Sequence, residues 1–436
     1  MKKWILFALL FPMLGTAQTN GLSLAEVRQN VLKGNPSVRE AVQRIAAAEA
    51  VQKQARSAYL PTVTLSASYG HVDASLHPDS DPETRYGDSF MQGTGGLQAN
   101  WLLFDGFARE ARSLAAKYGV QQSHEFAAET RRLLIQSATV AYRQAQLARE
   151  NVAIAERDLA FNRNLEADAK KRFDAGALPE SDVHNFSIRA LQAETSELRA
   201  ELNYNTACAM LAELMALPEA RLPQALQPVP INFDETGSIP ELESEFRYAL
   251  THRPDYQALT SGQFALVQQT RAAKGEMMPK VFLSGEMNYA DRSGYADAGD
   301  HGNYDSFAGV TASWDLFAGG RKTAVVKQAQ ADLRALEEQQ ESLSLSIRSS
   351  LQQRIDEAEV SKAIFRRSEK IHALSVQVRD SVEKSYKAGM ESITRLNEAQ
   401  TDLVRARGSY TTAYIAYQLV LNQLDIETGR ILSELE

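Results

Sequence analysis

The motif WLLFDG at residues 101–106 occurs a second time, as WDLFAG, at residues 314–319. The same offset of 213 residues relates the Ala-Gly pair at 175–176 to the Ala-Gly pair at 388–389. Upstream of the tryptophan motif the offset is 218 residues, so the second copy lacks five residues just before its tryptophan. A long repeat with one variable segment indicates a duplicated architecture whose loops vary while its framework is kept.

The N-terminus has the composition of a secretory signal peptide. Lys2 and Lys3 precede an apolar run at residues 4–14, and small residues follow up to Ala17. Eleven apolar residues are too few to cross about 30 Å of hydrocarbon as a helix, so cleavage after Ala17 is favoured over a membrane anchor. Cleavage removes both lysines and changes the formal net charge from −8 to −10. This acidity argues against nucleic acid and anionic lipid surfaces as partners.

Four segments alternate between apolar and polar residues with the period of a β-strand. The predicted strands lie at about residues 61–72, 95–105, 279–290 and 306–317. Pro61 and Pro279 precede the first and third strands and end a helical pattern. The segments 71–91 and 290–305, rich in Gly, Asp, Ser and Tyr, are predicted to form solvated outer loops. Such alternation is typical of membrane barrel strands, but a soluble β-sandwich has it as well.

The rest of each repeat is predicted to be helical. No proline occurs from Phe107 to Phe173 or from Arg321 to Tyr386, and helix-favouring residues dominate both segments. A helix of that length reaches about 100 Å. Small residues at heptad spacing between residues 134 and 159 allow close helix packing, as in an ordinary coiled coil.

Each repeat is expected to contain a helix, two strands, a long helix, a short turn and a further helix. The predicted segments are the signal peptide 1–17, the first repeat 18–217, the connector 218–240 and the second repeat 241–436. The short turns are predicted at 174–178 and 387–391. The connector holds five of the thirteen prolines, which indicates extended, turn-rich backbone.

Four barrel-like strands are too few to close a barrel. An open sheet edge in hydrocarbon leaves unpaired backbone groups that cost several kcal/mol each, and the smallest membrane barrels have eight strands. Two, three or four chains would supply eight, twelve or sixteen strands, and twelve or more leave a lumen. If the strands lie in a membrane, the sequence therefore requires an oligomer but does not choose its size.

From about Leu22 to Leu432 the chain resembles the TolC-type outer membrane efflux protein family. The resemblance rests on the helix–proline–strand junctions, both WxLFxG motifs and the two Ala-Gly turns. It implies a mainly α fold with a membrane β-barrel. Three chains would close a twelve-stranded barrel, four strands from each, and continue it as a long α-helical barrel of coiled-coil-like hairpins. It also implies a homotrimer in the outer membrane with a long periplasmic extension, served by a periplasmic adaptor and an inner membrane transporter.

The resemblance implies three groups of functional residues. The barrel-to-helix junctions would contain Trp101, Phe104, Gly106, Trp314, Phe317 and Gly319. The adaptor-docking tips would contain Gly176, Ala177, Leu178, Gly389 and Met390. The periplasmic gate would contain Asp182, Tyr386, Arg395 and Glu398. Arg395 stands where the family often carries an acid, so we expect a mixed-charge gate with Arg395 near Asp182 or Glu398.

Local structure offers a second explanation for some of these residues. A glycine in the left-handed conformation ends many helices whether or not a partner binds there. Asp182 also suits the first turn of a helix, where a negative charge complements the helix dipole. Both explanations are compatible with roles in docking and gating.

The sequence contains no recognisable catalytic or metal-binding motif. Its seven histidines form no His-x3-His pair and no Glu-x2-His arrangement, and neither a phosphate-binding loop nor a Gly-x-Ser-x-Gly elbow is present. Cys208 is the single cysteine, so no intrachain disulfide can form. We therefore expect neither an enzyme nor a bound cofactor or metal.

The expected function is that of a passive exit duct for small molecules such as drugs and toxic compounds, with energy supplied by the partner pump. Type I protein secretion, which uses the same duct with a different transporter, is one alternative. An exported coiled-coil structural protein whose strands form a soluble sandwich is an alternative of another class.

Overall fold

The computed structural model describes residues 21–76, 86–229, 239–293 and 303–433. The predicted signal peptide lies outside these residues, as do parts of the predicted connector and outer loops. The elements are α1 Leu24–Gly34, α2 Pro36–Ser57, β1 Thr62–Leu76, β2 Tyr86–Phe104, α3 Ala108–Asp174, α4 Glu180–Leu214, α5 Leu242–His252, α6 Pro254–Gly275, β3 Lys280–Ser293, β4 Asn303–Ser313, α7 Arg321–Lys387, α8 Ile393–Thr428 and α9 Arg430–Ser433.

The same order of elements occurs twice along the chain. Helices α1 and α5 have 11 residues each, α2 and α6 have 22 each, and the long helices α3 and α7 have 67 each. Helices α4 and α8 have 35 and 36 residues. The strand hairpins differ more, with 15 and 19 residues in β1 and β2 against 14 and 11 in β3 and β4. The length difference between the halves is therefore concentrated in the sheet.

The first helical segment is broken at Asn35, where the sequence had indicated a continuous helix from Leu24 to Tyr59. Asn35 precedes a proline, which disfavours the helical conformation, and its φ and ψ of −67° and 130° are extended. Its side-chain oxygen accepts a hydrogen bond from the backbone N–H of Ser37 at 2.9 Å, and its side-chain nitrogen donates to the carbonyl of Leu214 at 2.9 Å. These bonds hold the junction between α1 and α2.

The chain divides into two compact units. The first unit contains the described residues up to 38 together with 130–246 and the chain from 349 onwards. It is helical, and its main apolar core includes Val27, Tyr142 and Leu211. The second unit contains 39–129 and 247–348, and it holds the sheet. Each unit thus takes one half of each long helix.

Ala138 and Ala145 of the predicted heptad seam are completely buried in the core of the first unit. Leu134 and Ala141 of the same seam pack against them. The seam is therefore used for packing within the chain, as small residues at a close helix contact should be.

No helix in the described part of the chain combines the length and the apolar character required to cross a membrane.

The four strands form one antiparallel sheet in the order β1-β2-β3-β4. Across the sheet, Thr64 pairs with Gln98 and Gln98 with Glu286, so polar residues share one face. Leu65 pairs with Leu97 and Leu97 with Met287, so apolar residues share the other. Strand alternation places successive side chains on opposite faces, and the sheet therefore has one polar and one apolar face.

Three strand ends differ from those expected from the sequence. β1 continues to Leu76 and β2 begins at Tyr86, where a loop had been expected, and these two residues pair with each other. The Gly- and Ser-rich composition suggested a loop, but ladder hydrogen bonds join backbone groups and do not require apolar side chains. By contrast, β4 ends at Ser313 rather than near residue 317. This early end is explained below by the pairing of the strands.

Candidate functional site

The first predicted tip is the turn between α3 and α4. Gly176 has a φ of +75°. The backbone N–H groups of Gly176 and Ala177 donate to the carbonyls of Phe173 and Arg172, each at 2.8 Å. A left-handed glycine followed by such backward bonds is the usual Schellman ending of a helix. In the described chain a Cβ atom on Gly176 would meet no atom within 4 Å, so the backbone conformation alone favours glycine.

The second predicted tip, between α7 and α8, has the same geometry. Gly389 has a φ of +76°. Its N–H donates to the carbonyl of Tyr386 at 3.0 Å, and the N–H of Met390 donates to the carbonyl of Ser385 at 2.9 Å. The repeat is therefore preserved in the hydrogen bonding of the two turns.

The predicted docking residues divide into two groups by exposure. Gly176, Ala177 and Gly389 are exposed, and the side chain of Met390 is 75% exposed. Leu178 is only partly exposed because it packs against an apolar cluster beneath the turn. The accessible surface of the tips is thus formed by the two turns themselves, while Leu178 anchors one of them.

This apolar cluster, called here the tip cluster, joins the two helical hairpins. Its buried members are Leu165, Ala169, Phe186, Tyr386 and Leu396. They come from α3, α4, α7 and α8, so each of the four helices contributes at least one side chain. Burial of these side chains stabilises the contact between the hairpins near their tips.

Tyr386 is the predicted gate residue that is most buried. It belongs to the tip cluster, and the guanidinium of Arg172 lies 5.4 Å from the centroid of its ring. Burial raises the pKa of Tyr386 above its ordinary value, while Arg172 opposes this shift and the carboxylates of Asp168 and Asp182 add to it. Asp182, half-buried in the first turn of α4, is therefore an electrostatic neighbour of Tyr386.

Arg395 and Glu398 form an ion pair on α8. The Arg395 Nη1 atom lies 3.3 Å from Glu398 Oε2, and both side chains are more than half exposed. The backbone N–H of Arg395 donates to the hydroxyl of Ser392, which caps the helix. Among the described residues no ion pair joins Arg395 to Asp182, so of the two expected partners the structure places Glu398 beside Arg395. An exposed pair of this kind adds at most about 1 kcal/mol to stability.

A buried polar layer lies above the tip cluster, and the sequence did not reveal it. The Gln400 side-chain nitrogen donates to Asp158 Oδ1 at 2.7 Å, linking α8 to α3. Asn162 and Asn397 are buried beside them, and the four residues line a cleft of about 160 Å³. The Gln400 Oε1 atom is buried and accepts no hydrogen bond from the described residues. Single polar residues at helical spacing look like solvated positions in sequence, so no local signal marks this layer.

The first predicted junction lies between β2 and α3. The indole N–H of Trp101 donates to the carbonyl of Tyr59 at 2.9 Å and so ties the strand to the end of the preceding helix. The Arg109 guanidinium donates to the carbonyl of Leu102 at 2.6 Å. The Arg109 backbone N–H donates to buried Asp105 at 2.7 Å, which caps α3. The junction is therefore fixed by side chains on both sides.

Consecutive left-handed residues turn the chain from strand to helix in both junctions. Gly106 and Phe107 have φ values of +68° and +65°, and Gly319 and Gly320 have values of +59° and +82°. The Phe107 ring packs edge-on against Phe104 with centroids 5.6 Å apart, which offsets part of the strain of a left-handed phenylalanine.

The second junction has fewer fixed contacts. The indole N–H of Trp314 donates to the carbonyl of Met277 at 2.9 Å, repeating the bond of the first copy. Lys322 replaces the arginine and lies 3.4 Å from Asp315 Oδ2. The side chain of Phe317 is 89% exposed. This junction therefore presents apolar surface that the first junction covers.

Comparison with known sequences gives a consistent result. A family model described as outer membrane efflux protein matches residues 27–217 and 247–430. Outer membrane efflux protein BepC of Brucella suis is 25% identical over 351 residues, covering 80% of this chain and 73% of BepC. Outer membrane protein TolC of Vibrio cholerae is 24% identical over 419 residues, covering 94% of this chain and 91% of TolC.

Solved structures show the same fold. The CmeC outer membrane channel of Campylobacter jejuni matches with a TM-score of 0.79 at 16% identity, covering 93% of this chain and 85% of CmeC. The outer membrane protein VceC of Vibrio cholerae matches with a TM-score of 0.76 at 18% identity, covering 93% and 96%. The expected fold class, mainly helical with four antiparallel strands and the architecture of these channels, is confirmed.

Proposed function

Because this chain belongs to the outer membrane efflux protein family, we propose that three copies form a duct that passively conducts small molecules such as drugs to the exterior. The family consists of outer membrane efflux channels and not of enzymes, which places the protein in the outer membrane. A periplasmic adaptor and an inner membrane transporter would deliver the cargo and the energy. The family assignment excludes the alternative of an exported structural protein with a soluble sandwich.

The two-faced sheet is the observation that carries this proposal. Leu65, Met287 and Val310 on its apolar face are each more than 60% exposed in the single chain. Gln98 and Glu286 lie on the opposite, polar face. Membrane barrels need lipid on the first kind of face and water on the second. The sheet supports a duct, since closing it through further copies would enclose the polar face.

Two exposed apolar seams on the helical unit support the assembly of several chains. The seam on α4 consists of Ile188, Leu191, Leu198 and Leu202, and the seam on α7 consists of Val360, Ile364, Ile371, Leu374 and Val378. Their exposed fractions lie between 46% and 66%. Both seams keep the spacing of three, four or seven residues that helices use to pack against each other. Apolar stripes of this length are expected to be covered, and we infer that a second copy covers them.

The test of the proposal is planar-bilayer conductance of the detergent-purified protein, with its mass determined alongside. We expect discrete channels from a particle of three chains. A water-soluble monomer or dimer that never conducts would refute the duct.

The gate residues give a prediction for the same measurement. We expect the combination of Tyr386→Phe and Arg395→Ser to raise the single-channel conductance. The first change removes the hydroxyl beside Asp182, and the second removes the exposed ion pair with Glu398. Both changes therefore weaken polar contacts at the proposed constriction without removing apolar packing.

Arg405→Ser is the matched control for the gate variant. Arg405 forms an exposed ion pair with Asp402 at the same spacing of three residues on the same helix. It lies ten residues beyond Arg395, which is about 15 Å along the helix. The control is expected to conduct like the unmodified protein. Equal conductance in the gate variant and the control would remove Tyr386 and Arg395 from the gate.

The exposed turns give a prediction for adaptor docking. We expect Met390→Glu to reduce efflux in cells while leaving the conductance of the purified protein unchanged, because Met390 is 75% exposed and its removal disturbs no core. Burying a carboxylate in an apolar contact is costly, so the adaptor contact would weaken. Met390→Leu keeps the apolar surface and should retain efflux. Normal efflux in Met390→Glu would exclude this turn from the docking surface.

A further inference from the structure

The two hairpins of the sheet have the same internal register. Thr62 pairs with Asn100 in the first hairpin, and Lys280 pairs with Ser313 in the second. The offsets of 218 and 213 residues that relate the two copies of the sequence convert the first pair into the second. The hairpins are therefore repeats in their strand pairing as well as in their sequence.

The pairing between β2 and β3 is the contact between one hairpin and the next. Trp101 pairs with Leu283 and Leu97 with Met287 in this contact. β4 is the repeat equivalent of β2, and β1 is the repeat equivalent of β3. These two strands are the edges of the four-stranded sheet. Within the described chain, the sheet thus contains one hairpin-to-hairpin contact and ends in the two strands that would form another.

The end of β4 shows where this contact is missing. β2 extends beyond its pairing with β1, because Leu102 and Phe104 pair with Phe282 and Val281 of β3. The equivalent residues 314–317 of β4 have no strand conformation, and β4 stops at the last residue that pairs with β3. The side chains of Trp314, Leu316 and Phe317 are all more than half exposed there. A segment with the sequence of a strand end therefore lacks the partner that its equivalent has.

We propose that β4 of one copy pairs with β1 of the next copy in the register that β2 and β3 use within the chain. Trp314 then faces Leu65 of the next copy, Ala312 faces Ala67, and residues 314–317 become the continuation of β4. This inference rests on the proposed assembly of several copies and adds the register to it. The occupant of both sheet edges is a second copy of this chain.

The register also brings together two apolar residues on the polar face. Phe307 would face Val72 of the next copy, whereas the equivalent pair inside the chain is Thr94 with Ala290. The Phe307 ring is 54% exposed and lies over Gly309, where a Cβ atom would come within 2.7 Å of it. An aromatic paired with a β-branched residue is a favourable cross-strand contact. The contact between copies is thus more apolar than its counterpart within the chain.

Disulfide formation between engineered cysteines tests the register in the full-length protein. The background is Cys208→Ala, which removes the native thiol. One variant carries Ala312→Cys with Ala67→Cys, and a second carries Thr311→Cys with Ser68→Cys. Consecutive pairs alternate between the wider and the closer spacing of an antiparallel ladder, so the two variants sample both. Mild oxidation is expected to give covalent trimers that thiol reductants dissolve.

Register-shifted pairs are the controls. Ala312→Cys with Leu65→Cys and Ala312→Cys with Tyr69→Cys place the cysteines on the diagonal, ~7–8 Å apart, beyond the usual range for a disulfide. We expect at least about tenfold less covalent trimer from them, because disulfide geometry is specific. A trimer that cross-links best through a shifted pair, or through none, overturns the register but leaves the duct in place. A protein that remains a monomer in detergent and never cross-links overturns the assembly itself.

Phe307→Thr supplies a second measurement that does not depend on cysteine chemistry. The variant restores the residue type found at Thr94, and it leaves the pairing of β4 with β3 intact. We expect trimers of this variant to dissociate at a lower temperature in detergent than unmodified trimers. Thr311→Val alters the same strand and face at a position away from Val72 and should not lower the dissociation temperature. Equal loss in both variants would contradict the Phe307–Val72 contact.

Discussion

Replacing Gly106 with alanine is expected to lower the free energy of unfolding by about 2–5 kcal/mol. A left-handed conformation, here with φ of +68°, costs an L-residue ~1–2 kcal/mol. The new Cβ atom would lie within 2.6 Å of Met278 Cβ and closer still to the carbonyl oxygen of Gly275. Overpacking of this kind forces backbone shifts that cost about 1–3 kcal/mol. The glycine at this junction is therefore required by conformation and by space together.

Gly319→Ala separates these two contributions. Gly319 occupies the same position in the second copy and has a φ of +59°. A Cβ atom there meets nothing within 4 Å in the described chain. Only the conformational cost of about 1–2 kcal/mol remains. Denaturation of each purified variant in detergent measures the difference, and Gly106→Ala should unfold at the lower denaturant concentration. Equal stability of the two variants would show that α3 and α6 adjust to the added methyl group.

Phe186→Ala is expected to open the tips. The Phe186 side chain is 1% exposed at the centre of the tip cluster. Truncating a buried phenylalanine costs about 3–5 kcal/mol through lost burial and the cavity left behind. Because the cluster joins the two hairpins, this loss falls on the contact that keeps them together. The variant should show faster proteolysis near both turns and a higher conductance than the unmodified protein.

Phe173→Ala is the matched control for the tip cluster. Phe173 lies at the end of α3, but its side chain is 41% exposed and is not part of the cluster. Substitutions at such positions usually change stability by less than about 0.5 kcal/mol. The control should therefore retain slow proteolysis and normal conductance. If both variants opened the tips alike, burial in the cluster would not be what holds the hairpins together.

Features that depend on a few neighbouring residues could be predicted from the sequence. A glycine directly after a long proline-free segment favours a left-handed helix end, and Gly176 and Gly389 have that conformation. Alternation of side chains assigns the faces of a strand, and the polar and apolar faces of the sheet follow from it. The break at Asn35 was also present in the sequence as an Asn-Pro pair, but the surrounding helical pattern concealed it.

Features that depend on distant partners could not be predicted. The direction of Leu178 is decided by an apolar cluster that includes Leu396, 218 positions away in the sequence. The contact of Gln400 with Asp158 spans 242 residues and joins two helices whose sequences do not indicate which face is covered. The end of β4 depends on pairing at a sheet edge. In each case the deciding energy comes from tertiary contacts, which local sequence does not specify.

The indole hydrogen bonds of Trp101 and Trp314 make the protein's own light emission a reporter of its junctions. The chain has three tryptophans, and the third, Trp4, lies in the predicted signal peptide. The mature protein would therefore emit from two indoles only, each bound to a carbonyl at the end of a helix. A change in emission wavelength or lifetime on opening, adaptor binding or insertion would report the passage from strand to helix directly. Because one indole belongs to each repeat, single Trp→Phe variants would resolve the two junctions by spectroscopy without any added dye.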